Sequence, residues 1–180
     1  MPGRMTLGLY NSYDPVKFHE AHRRALARAG PLALAYDANL ATFGFPYPPE
    51  LLQPRDIVRW VAGTTTIGEG GQYLIELTEL GRFQAFGFPH KGFPPQLGTV
   101  VVTTAKPEDK RAMDAATAAS LLRAGKSLLL VFGLGPRGLE ETEVGAMAAH
   151  HIDITGKRYS LETATALGAV PAAIAAHLAK

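Results

Sequence analysis

The chain has 180 residues, 47% hydrophobic and 19% charged, with a formal net charge of +2. That length suits one domain, spanning 1–180, with a core large enough to stand without staples. The absence of cysteine excludes disulfides, thiolate zinc sites and a thiol nucleophile, and so small a net charge does not by itself signal nucleic-acid binding.

No apolar run reaches the length of a membrane span, and the start MPGRMTLGLY lacks the apolar stretch of a signal peptide. A cytoplasmic location and no membrane partner are the expectation. Along the chain, Thr6–Tyr10 reads as a first strand, followed by a helix over Pro15–Ala29 with Asp14-Pro15 as its opening. Asn39–Phe45 is a second strand, stopped by three prolines between Pro46 and Pro49. Helices follow over Arg55–Ala62 and Gln72–Leu80, the latter closed by Gly81. Arg82–Phe88 is a strand leading into a proline-rich loop.

The β-branched run Thr99–Thr104 predicts a strand. Asp114–Arg123 predicts a helix, Leu128–Phe132 a buried strand, Glu140–His150 a helix, Ile152–Ile154 a short strand and Leu161–Ala179 a last helix. Such alternation means an α/β fold, a mostly parallel sheet with helices on both faces. Phe43-Gly44-Phe45-Pro46 recurs as Phe86-Gly87-Phe88-Pro89, each at a strand end, where the aromatic rings are expected to plug the sheet. Ligand crevices of such sheets lie outside the carboxyl ends of the strands.

The glycine turn after Phe132 has two readings. Gly133-Leu134-Gly135-Pro136-Arg137-Gly138 spells the dinucleotide fingerprint G-x-G-x-x-G, with Asp153 at the offset of a ribose-binding acid. That would suit a Rossmann-type NAD(P)-binding oxidoreductase. Its position late in the chain argues otherwise. Asp153 is expected inside a strand, between two isoleucines, and Pro136 removes a backbone donor that a pyrophosphate would use.

Three segments taken together resemble the C-terminal motifs of the SPOUT methyltransferase superfamily: Gly133–Leu139 (GLGPRGL), Ile154–Lys157 (ITGK) and Ser160–Ala166 (SLETATA). The order and glycine placement agree over the last third of the chain, which looks like an archaeal branch of that superfamily rather than one of its well-studied enzymes. The resemblance implies a C-terminal trefoil knot, S-adenosylmethionine as cofactor, a homodimer and methylation of RNA, tRNA or rRNA, at a ribose 2′-oxygen. It assigns cofactor contacts to Gly133, Leu134, Gly135, Gly138, Ile154, Thr155 and Gly156, with Leu161 and Ala166 as an apolar wall. In its first motif an Asn precedes an Arg by six residues. His22 and Arg28 have that spacing, as do Lys17 and Arg23, and the position of the second strand favours Arg28.

Arg28 is thus the candidate catalytic cation, to stabilise a developing alkoxide, and Glu162 the candidate to orient it or take the proton. The sequence departs from the family where it has Gly135 in place of a glutamate and Glu162 in place of an asparagine. These departures keep open a second expectation, a SPOUT-fold RNA-binding or scaffold protein without catalysis. Lys17, Arg23, Arg24 and Arg137 are the candidate RNA contacts, with Lys17, Arg24 and Arg28 on one helical face. His150-His151 lacks a third ligand at a recognisable spacing, and no metal is assigned.

Overall fold

Leu7, Leu9, Leu128, Leu130 and Phe132 are buried with one-residue spacing between them, which is how a strand presents one face to a core. A computed structural model describes residues 1–63, 68–136, 138–139 and 142–180. Its strands are β1 (Met5–Tyr10), β2 (Asn39–Phe43), β3 (Phe83–Phe86), β4 (Thr99–Thr103), β5 (Leu128–Gly133) and β6 (His150–Ile152). All pair in parallel, in the order β3-β2-β1-β5-β4-β6. The helices are α1 (Glu20–Ala35), α2 (Pro54–Ala62), α3 (Gly70–Glu79), α4 (Ala115–Arg123), α5 (Val144–Met147) and α6 (Thr163–Leu178).

The order differs from the usual dinucleotide-binding order 3-2-1-4-5-6. Here the chain crosses from β3 to β4, then returns inward so that β5 lies beside β1. The connection after β1 leads to β2 on one side, and the connection after β5 leads to β6 on the other. β1 and β5 stay paired to their carboxyl ends, and the crevice opens on the other side of β5, at the ends of β4, β5 and β6. Register sets the geometry: Tyr10 lies opposite Gly133, so the loop after β1 meets the glycine turn after β5.

The two faces are covered differently. The larger core joins Leu7, Leu9, Leu130 and Phe132 to residues of α1, α2, α3, α4 and α6. The opposite face, Phe43, Val102, Leu129 and Val131, is covered by Phe93 and Leu97 of the proline-rich loop and by Val144 of α5. Long helices thus lie on one face, where the alternation predicts both. Phe88 packs edge-on to Tyr10, and Phe45 packs against Phe18 and Tyr47, so these rings do plug the sheet's end.

Three elements depart from expectation. First, α1 begins at Glu20, because Asp14 Oδ1 accepts the amides of Val16 (2.8 Å) and Lys17 (3.0 Å) in a turn ahead of the helix. The helix also runs through Gly30-Pro31 to Ala35. Packing of Ala29, Gly30 and Ala33 offsets the hydrogen bond that Pro31 cannot make. Second, the segment expected as a helix over Glu140–His150 is helical only over Val144–Met147, and Glu140 and Glu141 lie outside the described residues. Third, the last strand covers His150–Ile152, not Ile152–Ile154, so Asp153 lies just past its end. His151 is buried because its ring is paired: Nδ1 accepts the Glu108 amide at 3.0 Å and Nε2 lies 2.9 Å from the Gly145 carbonyl.

Candidate functional site

A cleft of about 550 Å³ opens at the carboxyl ends of β4, β5 and β6. Its floor is the turn after β5, with Gly133, Leu134, Gly135 and Gly138. One wall is Ile154 with Leu161, Glu162 and Ala166, and the other is the face of α1 that carries Arg24 and Arg28. Residues from the first motif and from both glycine turns therefore meet in one place. Thr155 and Gly156 lie in the supporting turn and not on the cleft's surface.

Side chains elsewhere fix the shape of the first glycine turn. Ser12 Oγ donates to the Leu134 carbonyl (2.8 Å) and accepts from the Leu134 amide (2.9 Å). Thr163 Oγ1, in the first turn of α6, donates to the Gly133 carbonyl at 2.7 Å. A Cβ on Gly133 would sit 2.7 Å from the carbonyl carbon of Gly138, so the turn closes too tightly for a side chain. Gly135 has φ +124°, a conformation that L side chains rarely adopt, and lies against Ser12 and Tyr13. A glutamate at this position, which the sequence resemblance implies, would be strained on this backbone.

The second turn is organised by Asp153. Its Oδ1 accepts from the Thr155 amide (3.1 Å) and hydroxyl (2.8 Å), and its Oδ2 from the Arg158 amide (2.7 Å). Thr155 Oγ1 in turn accepts from the amides of Lys157 (3.1 Å) and Tyr159 (3.3 Å). Asp153 stands at a strand end, as a ribose-binding acid would, yet both its oxygens are engaged within its own turn. The strand order, which is not that of a dinucleotide-binding sheet, argues against the dinucleotide reading.

Beside the cleft lies a buried polar network that links the loop after β1 to α1. His22 is fully buried and Asn11 nearly so. The His22 Nδ1 accepts the His19 amide at 2.9 Å, which leaves Nε2–H to donate to Asn11 Oδ1 at 3.0 Å. Asn11 Nδ2 donates to the carbonyls of Asp14 (2.6 Å) and Gly44 (2.9 Å). Burial first, and then the neighbouring His19, push the His22 pKa down from 6.5 to about 4. The hydrogen bond from His19 at 2.7 Å, joined by two backbone amides, holds the Asp14 carboxyl well below the usual range.

The basic candidates have different fates. Arg28 and Arg24 are exposed on the cleft side, and Arg24 is 3.9 Å from Glu20. Arg28 has no ion pair among the described residues. Lys17 is exposed but precedes α1, so the helical stripe contains only Arg24 and Arg28. Arg23 turns inward, its guanidinium 5.1 Å from the rings of both Phe18 and Trp60, with Nε buried and unpaired. Arg137 lies outside the described residues. Glu162 is exposed and precedes the first turn of α6, where helix polarity favours an acid.

The family described as proteins of unknown function (DUF531) matches residues 5–175. The chain belongs to the DUF531 family. An uncharacterised protein of Methanocaldococcus jannaschii is 43% identical over 171 residues, covering 95% of this chain and 93% of that one. Among solved structures, the DUF531 chain resembles a probable methyltransferase from Bordetella pertussis, with TM-score 0.67 and 14% identity over 98% of this chain and 96% of that one. A structure concerned with 2-OH methylation of C/U34 on tRNA matches with TM-score 0.61 and 19% identity, covering 99% of both chains. The SpoU methyltransferase AviRb from Streptomyces viridochromogenes, in complex with AdoMet, matches with TM-score 0.52 and 14% identity, over 97% of this chain and 57% of that one. At these identities the likeness establishes the fold: the DUF531 chain is SPOUT-like.

Ser12, Asn11, Thr163 and Tyr159 were not legible as site residues in the sequence. None has a spacing signature, and Ser12 meets its partner across 122 residues of chain.

Proposed function

We propose that this chain is an S-adenosylmethionine-dependent RNA methyltransferase acting on a ribose 2′-hydroxyl of tRNA or rRNA. The observation that carries the reading is one cleft lined by the first glycine turn, by Ile154 of the second, and by Arg28 and Glu162. Its volume falls in the usual range of small-ligand sites, roughly 300–1,000 Å³. The tight turn at Gly133, closed on Gly138, sets the shape of the floor, and Leu161, Ala166 and Val170 offer an apolar wall for a flat ring.

Gly133, Gly135, Gly138 and Ile154 would hold the cofactor's adenosine, with Thr155 and Gly156 shaping the turn behind Ile154. Both backbone groups of Leu134 are engaged by Ser12, which leaves the second lone pair of its carbonyl as the acceptor on offer. When bound, S-adenosylmethionine supplies an electrophilic methyl group. Arg28, without an ion-pair partner among the described residues, stands beside the hydroxyl and stabilises the charge that develops on its oxygen. Glu162 accepts the hydroxyl proton. Lys17, Arg24 and Arg137 contact RNA phosphates, which provide affinity without sequence choice. On the same reading the C-terminal region is knotted, two chains pair as a homodimer, and the protein works in the cytoplasm.

The second reading, an RNA-binding scaffold without catalysis, is favoured by Gly135 and Glu162 standing where the SPOUT motifs that the sequence resembles have Glu and Asn. Single-turnover transfer of a labelled methyl group to unmodified tRNA and rRNA transcripts separates the two. Label that resists alkali at one nucleotide supports 2′-O-methylation. Cofactor binding without any transfer supports the scaffold.

A further inference from the structure

The mouth of the cleft carries an aromatic ring that packing does not explain. Tyr159 lines the cleft and is 69% exposed. The other exposed tyrosines have local partners: Tyr13 lies edge-on to His19 at 5.2 Å, and Tyr73 covers Gly30. Tyr159 meets no other ring among the described residues. Its backbone is nevertheless fixed, because its amide donates to Thr155 Oγ1 within the turn that Asp153 holds. The ring is thus presented to solvent from a preorganised segment, so ordering it on binding costs little.

Cations outnumber free acids around it: Asp153 and Glu162 also line the cleft, but Asp153 is tied into its own turn. Arg24 and Arg28 line the same cleft, and Lys157, two residues before Tyr159, is exposed. An exposed ring flanked by cations is the pattern by which proteins hold unpaired nucleotides, the ring stacking on a base while the cations follow the backbone. A paired base, already stacked within a duplex, cannot present its face to such a ring. We propose that Tyr159 is the stacking platform for an unpaired nucleobase, so that this cleft takes its target from a loop or single-stranded stretch of RNA. The RNA class rests on the methyltransferase reading; the platform rests on the ring's exposure and surroundings.

The test uses the full chain with a short fluorescent single-stranded RNA, the same RNA as a duplex, and S-adenosylhomocysteine. Tyr159→Ala is expected to weaken single-strand binding about ten-fold, in keeping with base–aromatic stacking. Tyr159→Phe should bind like the wild type, and neither substitution should change S-adenosylhomocysteine affinity or the unfolding midpoint. The proposal is overturned if Tyr159→Ala binds the single strand as well as the wild type does, or if the duplex binds more tightly. A loss confined to S-adenosylhomocysteine would also overturn it, by assigning the ring to the cofactor. Failure of the wild type to bind S-adenosylhomocysteine, with Tyr159-dependent RNA binding intact, would instead refute the methyltransferase reading and leave the platform standing.

Discussion

Ser12 and Leu134 are joined by two hydrogen bonds through one hydroxyl, which donates to the Leu134 carbonyl at 2.8 Å and accepts its amide at 2.9 Å. This clamp ties the loop after β1 to the glycine turn after β5. The same loop carries Asn11, which is bonded to His22 on the helix that bears Arg28. The first glycine turn and α1 are therefore braced by one short segment. Replacing Ser12 with alanine removes both bonds and leaves the groups of buried Leu134 without this partner. The expected cost is roughly 1–3 kcal/mol of stability, with weaker S-adenosylmethionine binding, read by chemical denaturation and calorimetry. An unchanged cofactor affinity would show that the clamp does not shape the pocket.

His22 makes folding sensitive to acid. Its native pKa of about 4 lies below the ordinary 6.5, so between those values the unfolded chain binds the additional proton. Stability from this group is intact above pH 6.5, falls as pH drops towards 4, and changes no further below that. The full effect is roughly 3 kcal/mol. Asp14, held low by His19 and two amides, loses its contribution only at lower pH, as it protonates below the usual carboxylate range. Urea unfolding from pH 7 to 4 should show the slope in the wild type and lose most of it in His22→Asn. An equal slope in both proteins would assign the effect elsewhere.

Gly133 and Gly138 should respond differently to the same change. In Gly133→Ala the new methyl meets backbone at 2.7 Å, so the turn itself must move. In Gly138→Ala nothing lies within 4 Å of the new atom and only the φ of +56° is unfavourable, a cost of about 1–2 kcal/mol. S-adenosylhomocysteine binding is expected to be lost in the first variant and only weakened in the second. The reverse order would place the ligand away from Gly133.

Arg28→Ala is expected to reduce single-turnover methyl transfer by about a hundred-fold or more, as removal of one charge-stabilising donor does, with cofactor affinity unchanged. Glu162→Gln should lower the same rate with a changed pH profile. Equal rates for Arg28→Ala and wild type would remove Arg28 from the chemistry.

Much of the sheet was legible because its strands are extreme in composition: Thr99–Thr103 is β-branched and Leu128–Phe132 is uniformly apolar. The helix expected over Asp114–Arg123 is present over Ala115–Arg123, and the Asp114 carboxylate caps it by accepting the Thr117 amide at 2.8 Å. The start of α1 was not. Asp14 caps a preceding turn, and the helix opens on a backbone bond from His19 to the His22 ring, outside the usual capping residues. The last strand was misplaced because two histidines look unsuited to a strand until the bonds burying His151 are seen. At the site, the glycines announced the turns, whereas Ser12 and Thr163 act through partners far away in sequence. The inward rotation of Arg23 depends on Phe18 and Trp60, which no spacing rule links to it.

On the proposed reading, the cleft between α1 and the two glycine turns holds S-adenosylmethionine. Calorimetric titration of the intact protein with S-adenosylhomocysteine, in parallel with NAD, tests it most directly. Saturable binding of S-adenosylhomocysteine, one per chain and abolished by Gly133→Ala, is expected, with no heat from NAD. Absence of S-adenosylhomocysteine binding, or binding that Gly133→Ala leaves intact, would contradict it.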